Sequence, residues 1–234
     1  MVEKNKKFGA KLLSWKNKGM KNVCKICGDK TREIFHEKLN IKYFQCLSCD
    51  FIFKGDEFII SSEEELARYN RHNNSIDDQG YVEYFKKFID TAIIPYCSGT
   101  KNVLDFGCGP SPVLAEILKK DYNFSVDIYD LFYFPEKNYE GKKYDLIVST
   151  EVVEHLKNPL DYFLEFAKLL KDGGLLSVMT LFHPSDDERF KSWWYINDVS
   201  HIGFYNLKTF EEIAKKVGLE IIYTNNKNYI TFKK

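Results

Sequence analysis

The stretch from Lys101 to Pro112, KNVLDFGCGPSP, constrains this 234-residue chain more than any other. A short apolar run, Val103 and Leu104, ends in an acid, Asp105, and two glycines follow one residue apart, Gly107 and Gly109. Apolar residues then recur at helical spacing, at Val113, Leu114, Ile117 and Leu118. Strand, glycine turn and helix open a βαβ unit whose turn lets a ligand approach the backbone. A Cβ at either glycine would hold the ligand away or forbid the turn. The next apolar run ends in Asp130, about 20 residues on, where a ribose-binding acid stands in nucleotide-binding folds. Pro112 occupies the place of the third glycine of a dinucleotide fingerprint, and Pro110 and Pro112 offer no N–H to a pyrophosphate. The expected ligand is a nucleoside without phosphates.

From Lys101 on, strand and helix patterns alternate, which predicts an α/β fold built on a Rossmann-like, doubly wound, mostly parallel sheet. Strands are expected near 102–106, 124–129, 144–149 and 174–180, and helices near 111–120, 159–171 and 207–217. Two further strands, 219–224 and 228–233, flank an Asn-Asn-Lys turn. Asp130 and Asp145 are too close for a helix–strand–helix excursion, so 131–143 is expected to be a loop.

Six cysteines are present, four of them as Cys24-x-x-Cys27 and Cys46-x-x-Cys49 with 18 residues between the pairs. That spacing suits a structural zinc site, in which each C-x-x-C turn presents two thiolates to a tetrahedron. Arg32–His36 and Lys42–Gln45 read as short strands around Asn40, completing a small N-terminal zinc ribbon over 22–54. Two disulfides or a redox pair are the other readings of the same cysteines. So short a segment needs the metal for stability, and four protein ligands leave no place for a catalytic water. Paired C-x-x-C spacing rather than a disulfide framework implies a reducing, cytoplasmic setting. No apolar run is long enough for a membrane span, and no secretory signal is evident.

Charge is unevenly placed. The formal net charge is zero, yet residues 1–54 hold 13 Lys/Arg against 5 Asp/Glu. The expected organisation is a basic tail (1–21), the ribbon (22–54), a helical lead-in or lid (55–95) and an α/β domain (96–234). The tail has Phe8, Leu12 and Trp15 at helical spacing. In the lead-in, Ser61 or Ser62 with Glu64 or Glu65 predicts a capping box. Phe85, Phe88, Ile89 and Ala92 mark one face of a helix over 81–94.

VLDFGCGPSP, Asp130 and YDLIVSTEVVEHLKNP together resemble the class I S-adenosylmethionine-dependent methyltransferases. Among these, the C-terminal H-x-x-F-Y segment, His201 to Tyr205, is similar to the small-molecule type. The resemblance covers about 95–234 and implies that Asp105, Gly107 and Gly109 meet the methionyl part of the cofactor. It places Asp130 on the ribose hydroxyls, Leu131 or Phe132 against the adenine, and Thr150 and Glu151 along the cofactor. It also implies an antiparallel C-terminal hairpin at the sheet end. Tyr69, His72 and Tyr81 are candidates for the acceptor wall, or simply pack on the sheet.

Methyl transfer needs acceptor and sulfonium methyl held in line in a dry site, and a base only where the acceptor must lose a proton. Candidate catalytic residues are His155, His183, His201 and Tyr195. Trp193 and Trp194 suggest an acceptor lid. Capping of the loop before Pro159 is the other reading of Glu154 and His155, and a structural pair that of Asp198 and His201. The implied acceptor is a small molecule such as a sugar or quinol. Two alternatives stand beside it: tRNA or rRNA methylation with residues 1–54 facing phosphate, and a non-catalytic cofactor-binding scaffold. STEV stands where an N-P-P-[YF] base-methylation motif would be.

Overall fold

A computed structural model describes residues 22–70, 75–99 and 101–234. The basic tail (1–21) and His72 lie outside the described residues. In the ribbon, β1 (Thr31–His36), β2 (Ile41–Cys46) and β3 (Ile52–Lys54) form an antiparallel meander. Asn40 turns the first hairpin at φ +53°. α1 (Ser62–Tyr69) begins with a complete capping box: Glu64 N donates to Ser61 Oγ (3.3 Å) and Ser61 N to Glu64 Oε2 (3.0 Å). α2 (Gln79–Phe88) is capped by Asp78 and runs on through a wide turn over Ile89–Ile93. Its Phe85 and Phe88 are buried, with Ile89 and Ala92 beyond, as the periodicity predicts.

The α/β domain follows as β4 (Asn102–Phe106), α3 (Val113–Tyr122), β5 (Ser125–Tyr129), β6 (Tyr144–Thr150), α4 (Pro159–Leu169) and β7 (Leu170–Met179). Then come α5 (Asp187–Lys191), β8 (Gly203–Phe204), α6 (Leu207–Val217), β9 (Glu220–Thr224) and β10 (Tyr229–Lys233). Six strands form one sheet in the order β5-β4-β6-β7-β10-β9. β5, β4, β6 and β7 run parallel, and β10 is antiparallel to both β7 and β9. This is the expected doubly wound sheet with its C-terminal hairpin. Alternate residues of each strand serve opposite faces. Val103, Leu146 and Val148 pack toward α2 and α3 in one core. Leu104 and Ile147 pack toward Phe163 and Phe166 of α4 and Phe210 and Ile213 of α6 in the other. Residues 131–143 hold no helix; their one strand-like feature is the bridge from Asp130 to Phe134. α4 stops at Leu169, short of the predicted 171, because Leu170 turns extended and pairs with Tyr144.

The ribbon does not stand apart. β3 pairs with β8, extending the ribbon to four strands with a segment about 150 residues downstream. Thr209 Oγ1 donates to Cys49 O (2.8 Å), and Lys54 N to Ile202 O (2.9 Å). Tyr43 and Ile52 share a core with Phe190, Tyr195 and Phe204. A segment too small for its own core thus borrows one from the larger domain. No helix among the described residues is long and apolar enough to cross a membrane.

Candidate active site

The carboxyl ends of β4, β5 and β6 gather the residues expected to face a nucleoside, as open parallel sheets do. Asp105, next to last in β4, is almost fully buried, and its Oδ2 has no hydrogen-bond partner among the described residues. Burial pushes its carboxyl up to about 7. Gly107 follows at φ +87°, and a Cβ there would lie 2.2 Å from Val152 Cγ2. Glycine is therefore required twice, by backbone conformation and by the close approach of the segment after β6.

Asp130 accepts three backbone N–H groups, from Gly109 (2.9 Å), Phe132 (2.9 Å) and Tyr133 (3.1 Å). Its carboxylate ties the glycine turn to the end of β5 and is held in one orientation. Pro112 stands before α3 with no side-chain cap and brings no N–H of its own to the helix start. Leu131 is 61% exposed beside Asp130, and Thr150 ends β6 opposite Met179.

Beyond Thr150 the chain turns through Glu151 in the left-handed region, φ +54°. A side chain with a Cβ is disfavoured there and persists because the surroundings hold it. Glu151 N donates to Met179 O, while its carboxylate accepts from Tyr84 (3.0 Å) and Tyr195 (2.9 Å). The Tyr195 hydroxyl also meets Glu154 Oε1. One phenolic proton cannot serve both acids. Burial, with Glu151 alongside, raises Glu154 well above the usual carboxylate range. Its Oε2 is buried without a partner among the described residues.

Three of the four predicted catalytic residues converge on this cluster. The His201 ring lies 4.1 Å from that of Tyr195 and 4.9 Å from that of His155. His155 Nδ1 donates to Ser200 O (3.1 Å), and His201 Nδ1 to Tyr195 O (2.8 Å). Burial holds His155 down to about 3, helped by His201, and lowers His201 as well. α1 closes the cluster from above: Tyr69 packs edge-on to His155 and donates to Glu65 (2.7 Å). Arg68 Nε lies 3.5 Å from Asp198 Oδ1.

His183 is placed elsewhere. Its ring bridges Asp50 O and Pro184 O at 3.0 Å each, so it fastens the ribbon to the segment after β7. A histidine shortly after a strand end looks catalytic in one dimension; the docked ribbon gives it a structural partner instead. The sequence reading gave Glu154 and Glu65 only capping roles and passed over Lys54 and Tyr84. Lys54 is fully buried and donates to Val199 O (2.6 Å). Burial lowers its ammonium to about 8. The one sequence signal for Glu154 was its i, i+3 spacing from Glu151, which the tight turn after β6 converts into proximity.

The four cysteines form a separate cluster with every sulfur within 4.8 Å of the others. Cys24 and Cys49 sulfurs are 3.5 Å apart, Cys27 and Cys46 3.3 Å, and all four are free, which removes the disulfide reading. Four thiolates about 2.3 Å from a zinc ion would sit roughly 3.8 Å apart, so the set fits that ion. Ile26 N and Cys27 N point at Cys24 Sγ, and Ser48 N and Cys49 N at Cys46 Sγ, at 3.4–3.5 Å. Such N–H groups offset thiolate charge.

Known proteins bear on this site in three ways. A family model described as methyltransferase domain matches residues 70–224. The ubiquinone biosynthesis O-methyltransferase of Roseobacter denitrificans is 45% identical over 42 residues, which is 18% of this chain and 17% of that protein. The biotin biosynthesis bifunctional protein BioHC of Teredinibacter turnerae is 27% identical over 82 residues, 35% of this chain and 14% of that protein. These matches span less than a fifth of either relative. In solved structures, an O-methyltransferase family protein from Burkholderia thailandensis shares the fold, with a TM-score of 0.51 at 13% identity. That likeness covers 73% of this chain and 62% of the other. With the sheet order, the glycine turn and a family model spanning more than half of its length, this chain belongs to the methyltransferase domain family, in its class I form.

Proposed function

We propose that this chain transfers a methyl group from S-adenosylmethionine to a small-molecule acceptor held under α1, with a structural zinc ion at Cys24, Cys27, Cys46 and Cys49. The observation that carries the reading is the juxtaposition of the nucleoside edge formed by Asp105, Gly107 and Asp130 with a largely buried cluster of Glu154, His155, Tyr195 and His201 that has the exposed Glu151 at its rim. The bound cofactor supplies a methyl already activated by its sulfonium. The unpartnered Asp105 Oδ2 suits the ammonium of a methionyl group. Asp130, oriented by three N–H groups, keeps a lone pair on Oδ2 for a ribose hydroxyl. Gly107 lets the backbone approach, and Leu131 gives an apolar surface for the base.

On the acceptor side, the neutral imidazoles of His155 and His201 offer lone pairs to a hydroxyl, and Tyr195 and Glu151 fix its orientation. α1 excludes water, which strengthens every polar contact below it. A quinol or sugar hydroxyl suits this arrangement better than RNA. Of the six cations in 22–54, Lys25 pairs with Asp56, Arg32 with Asp187, Lys42 with Glu33, and Lys54 is buried on Val199 O. These four of the six are committed to protein partners, not to a phosphate backbone.

The test is a mass-detected screen with S-adenosylmethionine, catechol-type phenols, sugar nucleotides and total tRNA. The reading expects a 14-Da gain (about one CH₂) on a small acceptor, and its loss in His201→Ala and Tyr195→Phe. Methylation of tRNA alone would replace it.

A further inference from the structure

The buried cluster under α1 is arranged for more than hydrogen bonding to an acceptor. Glu154, His155 and His201 each bring one donor atom to within 4.8 Å of the others. Both imidazoles give their Nδ1 proton to a backbone carbonyl, Ser200 O for His155 and Tyr195 O for His201. Each ring is thereby fixed in the tautomer whose free lone pair sits on Nε2. Donation of the far N–H to a carbonyl is the usual way in which a metal-ligating histidine is oriented. Independently, Glu154 is fully buried, and its Oε2 has no hydrogen-bond partner among the described residues. A buried polar atom without a partner is costly, and lone pairs from three side chains cannot satisfy one another.

The surrounding charge has the matching sign. Glu65, Glu151, Glu154 and Asp198 border the two rings, against the cations Lys54 and Arg68. Asp198 Oδ2, 4.0 Å from His201 Nε2, stands next in line as a further oxygen donor.

We propose that Glu154, His155 and His201 form a divalent-cation site, separate from the cysteine cluster. Two imidazoles and a carboxylate are a donor set for Mn²⁺, Fe²⁺ or Zn²⁺, not for Mg²⁺ or Ca²⁺, which prefer all-oxygen ligation. Three protein ligands leave coordination positions open. On the methyltransferase reading, on which this extension rests, an acceptor hydroxyl occupies one of them. Coordination acidifies the hydroxyl, its proton passes to the exposed Glu151 carboxylate at the rim and from there to solvent, and the oxygen attacks the methyl carbon as the C–S bond breaks to a neutral thioether.

The experiment uses the full chain with its cysteine site loaded with zinc, titrated separately with Mn²⁺ and Zn²⁺. Calorimetry is the readout for both, with electron paramagnetic resonance for Mn²⁺, and S-adenosylmethionine is titrated into the same samples. The expected result is one further equivalent of metal, with affinity at least tenfold weaker in Glu154→Gln and in His201→Gln. Near-ultraviolet circular dichroism and retained cysteine-bound zinc report that each variant is folded; His155→Gln serves if one is not. No further equivalent of either metal in the wild type, or affinity unchanged in folded variants, overturns the site. Metal binding without cofactor binding would remove the methyltransferase reading and leave the metal site standing. Cofactor binding without metal would do the reverse.

Discussion

Replacing Gly107 by alanine isolates the device that joins the cofactor turn to the acceptor side. Two costs add. At φ +87° an L-residue loses about 1–2 kcal/mol relative to glycine. The new Cβ would also lie 2.2 Å from Val152 Cγ2 and 3.0 Å from Cγ1, both well inside ordinary contact. Forcing a methyl into such packing costs about 1–3 kcal/mol. Gly107→Ala should therefore destabilise the protein by about 2–5 kcal/mol in urea unfolding. The two parts separate in a double-mutant cycle. Val152→Ala removes the two clashing methyls and leaves only Cβ at 3.2 Å, so in that background the alanine should cost little beyond the conformational part. The expected coupling is about 1–3 kcal/mol, favourable to the double variant. A Gly107→Ala protein within about 0.5 kcal/mol of wild type, or strict additivity with Val152→Ala, would refute the packing argument.

Other outcomes follow from the same contacts. Asp105 has a folded pKa of about 7, above its unfolded value, so its burial costs stability that appears as pH rises from about 4 to 7. Asp105→Asn should then be more stable than wild type at pH 8, by up to a few kcal/mol, with the gain vanishing by pH 4, while cofactor affinity falls. Equal stability of the two proteins at pH 8 would contradict this. Lys54, lowered to about 8, is neutralised in the folded state before the unfolded one, so it adds stability as pH rises from about 8 to 10.5. Lys54→Met should remove that rise, roughly 3 kcal/mol at most, in unfolding curves across that window. Removing zinc with a chelator should raise hydrogen exchange in 22–54 and also in 199–210, because β8 and Thr209 are bonded to the ribbon. Exchange confined to 22–54 would show that the ribbon is uncoupled.

Much of this fold is legible in the sequence because local patterns dictate it. Alternating apolar runs and a glycine turn specify the parallel sheet, and Cys24-x-x-Cys27 with Cys46-x-x-Cys49 specifies the knuckles. The short Asp130–Asp145 interval correctly denied a further helix. What stayed hidden depends on contacts across more than a hundred residues. β3 is only Ile52–Lys54, and its partner β8 only Gly203–Phe204; neither has enough length to show a period. Once they pair, Asp50 O reaches His183, and a residue that looked catalytic becomes a fastener. The same pairing carries Lys54 under α1, where no local pattern would place a lysine. Glu154 was read as a cap because its neighbours in sequence suggest a loop. Its importance lies in Tyr195, His201 and the bare Oε2, which only the assembled fold brings together.

The central claim is a nucleoside cofactor without phosphates, held by Asp105 and Asp130. The measurement that tests it most directly is calorimetric titration of the zinc-loaded protein with S-adenosylmethionine and, separately, with NAD. The account predicts binding of S-adenosylmethionine at one per chain, weakened at least tenfold in Asp130→Ala, and no binding of NAD. Binding of NAD, or S-adenosylmethionine affinity unchanged in Asp130→Ala, would contradict it.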